Sequence, residues 1–179
     1  MTPKLTKLSK TLSHALRHAP GEYGLKLDAE GWVNVDDLLR ALADKGWPNV
    51  LKDHIDSIIQ VPGKKRFQIV GERIRAMYGH SVDEQIQKVR QAPPDILYHG
   101  TKAEFIESIC QKGLQPMQRQ YVHLSIDEHN AIVVASRRKG RNKILIIKAA
   151  SAYKSGINFY AEENGIWLSD AISPQFIEL

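Results

Sequence analysis

Two consecutive prolines, Pro93 and Pro94, interrupt the chain near its middle and constrain its fold more than any other feature. Proline lacks a backbone N–H donor and fixes its own φ, so few regular elements run through such a pair. Helical periodicity and a hairpin precede the prolines, and a mixed α/β pattern follows them. The sequence therefore predicts an α+β protein whose boundary lies in residues 91–95, with one lobe at 1–92 and another at 93–179.

The first predicted helix carries one apolar stripe of leucines at helical spacing, Leu5, Leu8, Leu12 and Leu16, and stops at Pro20. Arg17 and His18 fall off this leucine stripe on the last turn and are expected to face away from the core. A cation beside a titratable imidazole suits a group that holds and repositions an anion. The alternative is an exposed Arg-His pair that the helix dipole favours at a C-terminus, and spacing alone favours that alternative.

Two further helices and a hairpin complete the first lobe. The second helix begins with Asn34 as its N-cap and ends at Gly46. The third is predicted over residues 50–60, with Asn49 as its N-cap. Alternating apolar residues over 67–76 predict the hairpin. Helix, helix, helix, hairpin is the order of a winged-helix module, a class that includes nucleic-acid binders, protein-contact modules and structural units.

The second lobe alternates strands and helices. Its apolar stretches predict strands at 96–100, 121–125 and 143–149, with one or two more in 164–172. A helix is predicted over 101–113, with Thr101 and Glu104 as a capping box, and another over 127–136. His99, Gly100 and Thr101 would then end a strand and begin a helix, where free backbone N–H groups meet an anion.

Composition narrows the class of protein. The net charge is +5, of which +4 falls in residues 1–92, so a polyanion such as nucleic acid is a candidate partner, although solubility explains such an excess equally well. The single cysteine, Cys110, excludes an internal disulfide and a multi-cysteine zinc site, and its apolar neighbours predict that it is buried. The scattered histidines predict no metal site. With no signal peptide and no apolar run of membrane length, the chain is expected to be cytoplasmic with no membrane partner. A monomer is a separate expectation, which these features do not bear on.

Several cationic and polar residues stand at unusual places. Arg66 lies at the mouth of the hairpin, Arg119 just before a strand, and Ser125 at the end of one, and residues 136–141 form a basic cluster. Arginine presents a planar fork that matches phosphate oxygens. A solvated surface residue is the commoner explanation for any one of them. Together they predict a two-lobed protein that grips phosphates, and they name no reaction.

Seven segments, in order and spacing, resemble the NAD-dependent RNA (tRNA) 2′-phosphotransferase family. The resemblance covers nearly the whole chain, from Leu8 to Phe176. The segments are LSHALRHAP, LDAEGWVNVDDLL, KKRF, IRAMYGHS, LYHGT, GLQPMQRQYVHLS and NGIWLS. It implies a winged-helix RNA-binding lobe, a C-terminal lobe of ADP-ribosyltransferase type, and an active site in the cleft between them.

The resemblance also implies a two-step reaction, of the kind used in tRNA processing and splicing. An internal RNA 2′-monophosphate attacks the nicotinamide ribose of NAD, nicotinamide leaves, and the phosphate becomes ADP-ribosylated. The ribose 2″-hydroxyl then attacks that phosphate and releases ADP-ribose 1″,2″-cyclic phosphate and RNA with a 2′-hydroxyl. NAD is consumed as a co-substrate, and no metal is required.

The family's functional residues map onto this chain one by one. The implied catalytic residues are Arg17, His18, Arg66 and Arg119. The implied NAD contacts are His99, Gly100, Thr101, Ser125 and Arg137, with Arg138 as the alternative to Arg137. His80 and Ser81 are implied contacts of the substrate phosphate. The arginines would clamp the 2′-phosphate, and Arg119 and His18 would assist the second step, for which an imidazole suits proton transfer at neutral pH.

Two other functions compete with this one. A mono-ADP-ribosyltransferase that stops after the first step would use a glutamate, for which Glu162 and Glu163 are candidates. A non-catalytic winged-helix protein would bind RNA without turning over NAD. The arginine-rich set favours the phosphotransferase, because the second step needs cations around the phosphate.

Overall fold

The computed structural model describes residues 2–62 and 65–179, and the chain divides into two compact units, Met1–Gln87 and Lys88–Leu179. The boundary between the units precedes the predicted one at 92/93 by a few residues. Hydrogen bonding explains the difference: the Gln91 N–H donates to the Phe159 carbonyl at 2.8 Å, and Lys88 pairs with Glu162 at 2.5 Å. Both contacts tie the segment before the prolines to the second unit.

The first unit combines three helices with a small antiparallel sheet in strand order β1-β3-β2. Its helices are α1 (Pro3–Arg17), α2 (Val35–Asp44) and α3 (Lys52–Ile59), and its strands are β1 (Trp32–Asn34), β2 (Phe67–Val70) and β3 (Arg73–Ala76). The predicted hairpin is confirmed, with Phe67 opposite Ala76. Strand β1 was not predicted, because three residues are too few to show an alternating pattern.

Local sequence signals set most helix ends in the first unit. Asn34 caps α2 as predicted, since its side chain accepts from the Asp36 N–H at 2.8 Å. The predicted cap at Asn49 is wrong: α3 begins later, after Leu51, whose N–H donates to His54 Nδ1 at 3.1 Å. The α1 leucines Leu8, Leu12 and Leu16 are buried as predicted. Each contributes about 1.5–3 kcal/mol by leaving water, which anchors α1 on the core.

The second unit is built on an antiparallel sheet in the order β7-β8-β5-β4-β6-β9. Its strands are β4 (Ile96–Lys102), β5 (Val122–Ser125), β6 (Asn142–Lys148), β7 (Phe159–Ala161), β8 (Ile166–Ser169) and β9 (Ile177–Glu178). Its helices are α4 (Ile106–Lys112), α5 (Glu128–Ala135) and α6 (Ala149–Lys154). The described part of the chain thus holds two antiparallel sheets and six α-helices. The assignment of the units as winged-helix and ADP-ribosyltransferase-type lobes stays a prediction.

Cys110 is exposed, so the prediction that it is buried is wrong. Ile109 is the buried residue of α4, and the next residue points about 100° further around the helix. Across residues 2–62 and 65–179, no helix has the length and apolar character needed to cross a membrane.

Candidate functional site

The C-terminal end of α1 brings together most of the site residues predicted in the first unit. α1 ends because the chain turns at Pro20, and the His18 N–H closes the last turn on the His14 carbonyl at 3.1 Å. A helix C-terminus favours cations, so Arg17 suits this position electrostatically. Arg17 is half-buried and His18 is exposed. The prediction that both face away from the core therefore holds for His18 and only in part for Arg17.

Aromatic rings and a carbonyl fix the Arg17 guanidinium. Its central carbon lies 5.5 Å from the centre of the Phe67 ring and 5.3 Å from that of Tyr78. Its Nη2 donates to the Arg66 carbonyl at 3.3 Å. A cation over an aromatic face gains about 0.5–2 kcal/mol and loses orientational freedom. Gly79 lies beside this guanidinium with φ +87°, a backbone conformation that favours glycine, and a Cβ there would make an ordinary contact of 3.4 Å with Arg17 Nη1.

Ser81 connects the segment after β3 to the end of α1. Its N–H donates to the Arg17 carbonyl at 2.9 Å, and its hydroxyl lies 2.9 Å from His18 Nδ1. The first contact satisfies a carbonyl that the helix end would otherwise leave without a partner. The second holds the His18 ring, so the structure places Ser81 with the two predicted catalytic residues of α1.

Arg66 stands at the mouth of the hairpin as predicted and turns toward α1. Its backbone carbonyl accepts from the Met77 N–H at 3.0 Å, and its Nη1 lies 3.5 Å from the hydroxyl of Ser9, a buried residue of α1. Of the KKRF segment, Lys64 lies outside the described residues. Arg17, His18, Arg66 and Ser81 therefore gather in one region of the first unit.

His80 is buried, whereas its neighbour Ser81 is exposed. The residue is only 3% exposed, and its Nε2 would stand 3.4 Å from a Cβ placed on Gly31. Gly31 has φ +85° and belongs to the turn before β1. The imidazole thus packs inside the first unit, and its contact with a substrate phosphate stays a prediction.

In the second unit, β4 presents His99 with a defined tautomer. Its Nδ1 lies 2.8 Å from the carbonyl of His123, and because a carbonyl only accepts, Nδ1 carries the proton. Burial lowers the pKa of His99 below its ordinary value of 6.5; the hydrogen bond to His123 opposes this, and the nearby Arg119 cation lowers the pKa further. The ring is therefore neutral at pH 7, and Nε2 is an acceptor. Arg119 itself is exposed.

Gly100 and Thr101 do not begin a helix. β4 continues through Lys102 and pairs Thr101 with Lys143 of β6, and α4 starts only at Ile106 with no side-chain cap. The predicted capping box and anion-binding helix terminus are wrong, because hydrogen bonds to β6 extend the strand past the local capping signal. Close packing explains why residue 100 is a glycine, because a Cβ there would lie 2.1 Å from the Ala131 carbonyl oxygen of α5.

The remaining predicted NAD contacts lie at the end of β5 and after α5. Ser125 is buried and stands opposite Tyr98 of β4. Arg137 and Arg138 are both exposed. Both arginines lie in a basic loop, residues 136–141, which the buried Lys102 anchors. Lys102 Nζ donates to the Gly140 carbonyl at 3.0 Å and to Asn142 Oδ1 at 2.5 Å.

Comparison with known proteins gives the family. The family model described as "RNA 2'-phosphotransferase, Tpt1 / KptA family" matches residues 3–171. The chain belongs to the RNA 2′-phosphotransferase family. It is 47% identical over 173 residues to a protein named "Probable RNA 2'-phosphotransferase" from Acetivibrio thermocellus, covering 96% of this chain and 95% of that protein. A protein of the same name from Pectobacterium atrosepticum is 48% identical over 183 residues, covering 99% of each chain.

The glutamates considered for a simple ADP-ribosyltransferase have different surroundings in this RNA 2′-phosphotransferase family member. Glu162 forms an ion pair with Lys88 at 2.5 Å, and both side chains are only 8% exposed. Breaking such a buried pair costs about 3–5 kcal/mol, so this ion pair explains the presence of Glu162 without a catalytic role. Glu163 is exposed.

Sequence reasoning missed two residues that contact the candidate site residues, or the loop that carries them, in this RNA 2′-phosphotransferase family member. Tyr78 supplies a ring for Arg17, and Lys102 anchors the basic loop after α5. Tyr78 directly precedes the segment Gly79-His80-Ser81, so its position in the sequence could have predicted that it lies near these residues. Nothing local marks Lys102, because its partners lie 38 and 40 residues further along the chain.

Proposed function

We propose that this chain removes an internal 2′-monophosphate from RNA by transferring it to NAD. The observation that carries the proposal is the gathering of Arg17, His18 and Arg66 at the C-terminal end of α1. Membership of the RNA 2′-phosphotransferase family supports the same substrate. In this proposal NAD is a co-substrate that each turnover consumes.

The two arginines suit a phosphate monoester. Such a group carries about −1.5 to −2 charge at pH 7, and a guanidinium offers five donors in a planar fork. Arg17 is held by two rings and a carbonyl, and within the described residues Arg66 pairs with no carboxylate. Cations held in place before the reaction stabilise charge that develops on phosphate oxygens without reorganising. We therefore assign Arg17 and Arg66 to the 2′-phosphate.

The proposed reaction has two balanced steps. An oxygen of the RNA 2′-phosphate attacks the anomeric carbon of the nicotinamide ribose, the bond to nicotinamide breaks, and the phosphate becomes ADP-ribosylated. The ribose 2″-hydroxyl then loses its proton and attacks the phosphorus, and the bond to the RNA 2′-oxygen breaks as that oxygen gains a proton. The products are nicotinamide, ADP-ribose 1″,2″-cyclic phosphate and RNA with a 2′-hydroxyl. Arg119 and His18 are assigned to this second step.

The second unit offers groups whose chemistry fits NAD. The neutral His99 has its proton on Nδ1, so Nε2 accepts a hydrogen bond from a ribose hydroxyl. Ser125 offers a hydroxyl at the end of β5, and Arg137 or Arg138 offers a cation for the diphosphate. When bound, NAD supplies an electrophilic ribose carbon with nicotinamide as its leaving group. The protein residues orient that ribose and neutralise the diphosphate charge.

Single arginine variants test the proposal. Arg17→Ala and Arg66→Ala should each lower the rate of phosphate removal by about 10²–10³, the usual cost of deleting one such donor. Arg119→Ala should instead make ADP-ribosylated RNA accumulate, because it acts on the second step. Arg40→Ala is the matched control, since Arg40 is exposed on α2 and pairs only with its neighbours Asp36 and Asp37 among the described residues.

Mass spectrometry of the RNA and the nucleotide separates the outcomes. Unchanged rates for Arg17→Ala and Arg66→Ala would remove these arginines from the site. An Arg119→Ala variant that shows neither the intermediate nor a loss of rate contradicts its assigned role. Wild-type protein that leaves ADP-ribose on the RNA indicates an ADP-ribosyltransferase that stops after the first step.

A further inference from the structure

A groove between the N-terminal half of α1 and the end of α2 is lined by cations and aromatic rings. Its volume is about 600 Å³, within the range of about 300–1,000 Å³ that ligand sites occupy. Among the described residues, the charged side chains that line it are all lysines, namely Lys4, Lys7 and Lys45. Tyr23 and Trp47 supply the rings. We call this feature the α1 groove, and it belongs entirely to the first unit.

One face of α1 connects the groove to the candidate catalytic residues. Lys4, Lys7, Thr11, His14 and His18 follow one another at spacings of three or four residues. At 100° per residue they fall within an arc of about 80°, and at 1.5 Å per residue they cover about 20 Å. The three residues nearest the N-terminus line the α1 groove. A polymer lying along this face would thus extend from the groove to His18.

The rings of the α1 groove are held in place and partly accessible. Tyr23 and Trp47 are half-buried and pack against the core of the first unit. The Tyr23 hydroxyl lies 3.2 Å from His14 Nδ1, and Lys45 Nζ lies 5.8 Å from the centre of the Tyr23 ring. Burial, and then the neighbouring Glu22 carboxylate, raise the pKa of Tyr23, so its phenol is neutral at pH 7.

We infer that the α1 groove binds an unpaired segment of RNA next to the phosphorylated nucleotide. The inference rests on the proposed function and adds a binding surface to it. Lysines attract the phosphate backbone, and fixed rings stack on exposed bases, which is how proteins hold single strands without reading their sequence. The bases of a duplex are already stacked on one another and offer no face to the rings. The 2′-phosphate lies at the His18 end of the strand.

Charge reversal in the α1 groove tests the inference by RNA binding without NAD. Lys4→Glu/Lys7→Glu should weaken binding of a single-stranded RNA by about tenfold or more and reduce the slope of log affinity against log salt by about 1.4. The control is Lys52→Glu/Lys112→Glu, which makes the same charge change at exposed lysines outside the groove. Trp47→Leu should also weaken binding by about tenfold, and Trp47→Phe should restore most of it, since each stacked base contributes about 1–3 kcal/mol.

Activity on two substrates separates this inference from the proposed function. The groove variant should raise KM for a long 2′-phosphorylated RNA, and the loss should shrink on a 2′-phosphorylated dinucleotide. Equal binding by the groove and control variants, or equal affinity for duplex and single strand, would overturn the inference. The groove variant could also weaken binding of a polyglutamate probe as much as binding of RNA, while Trp47→Leu has no effect. That result would show that the lysines attract any polyanion, and it would overturn the inference. Wild-type protein without NAD-dependent phosphate removal contradicts the proposed function, whatever the binding results.

Discussion

Alanine at position 100 tests why a glycine stands in the middle of β4. A Cβ on Gly100 would lie 2.1 Å from the Ala131 carbonyl oxygen, 2.9 Å from its carbonyl carbon and 3.0 Å from Ala135 Cβ. Two of these atoms belong to the backbone of α5 and cannot rotate away. Relief requires α5 to move off the sheet by more than about 1 Å, which forfeits much of its dispersion contact with β4.

The expected cost of Gly100→Ala follows from this clash. Overpacking a tight site costs about 1–3 kcal/mol, and contact with rigid backbone places this variant near the upper end, a fall in Tm of about 6–12 °C. Gly21→Ala is the matched control, because a Cβ there meets nothing within 4 Å. It should change stability by less than about 1 kcal/mol, in the stabilising direction. Thermal unfolding followed by circular dichroism measures both variants. Equal melting temperatures for Gly100→Ala and Gly21→Ala would refute the packing explanation.

Two further predictions concern buried ionisable groups of the second unit. Burial lowers the pKa of His99 below 6.5, so the unfolded chain takes up a proton at this residue before the folded chain does as the pH falls. The contribution of His99 to the free energy of unfolding should therefore decrease below pH 6.5 and stay constant above it. His99→Gln should lose less stability than wild type between neutral pH and about pH 5.5 in urea titrations, and parallel pH profiles would contradict this. Lys102→Met should cost about 1.5–3 kcal/mol, because it removes the donor held by Gly140 and Asn142, and should speed hydrogen exchange across residues 136–142. The exposed Lys112→Met is the control, and unchanged exchange in that loop would show that Lys102 does not anchor it.

Local signals predicted the elements whose ends depend on nearby residues. The Asn34 cap, the hairpin turn and the Gly113 stop of α4 each involve atoms within a few residues of one another. The Thr101 capping signal failed because the β4–β6 ladder, with partners some 40 residues away, continues the strand through it. A capping motif states a local preference, and pairing with a distant strand overrides it.

The candidate site also combines features that the local sequence predicts with features that depend on distant parts of the chain. The place of Arg17 and His18 off the leucine stripe follows from the pattern of α1, but their catalytic role comes from the resemblance to the family. The grouping of Arg66 with them, 49 residues further on, also comes from that resemblance. The burial of His80 could not be predicted, since adjacency to Ser81 does not say which of the two faces the core. The packing reason for Gly100 requires the position of α5, which the sequence of β4 does not contain.

The most direct test of the proposed reaction is a mass balance on one incubation. The protein is mixed with a short RNA that bears a single internal 2′-phosphate, with and without NAD, and both the RNA and the nucleotide are followed by mass spectrometry. The account predicts that the RNA loses its phosphate only when NAD is present, with equal amounts of nicotinamide and ADP-ribose 1″,2″-cyclic phosphate appearing. Loss of the phosphate without NAD, or no change in either species, would contradict it.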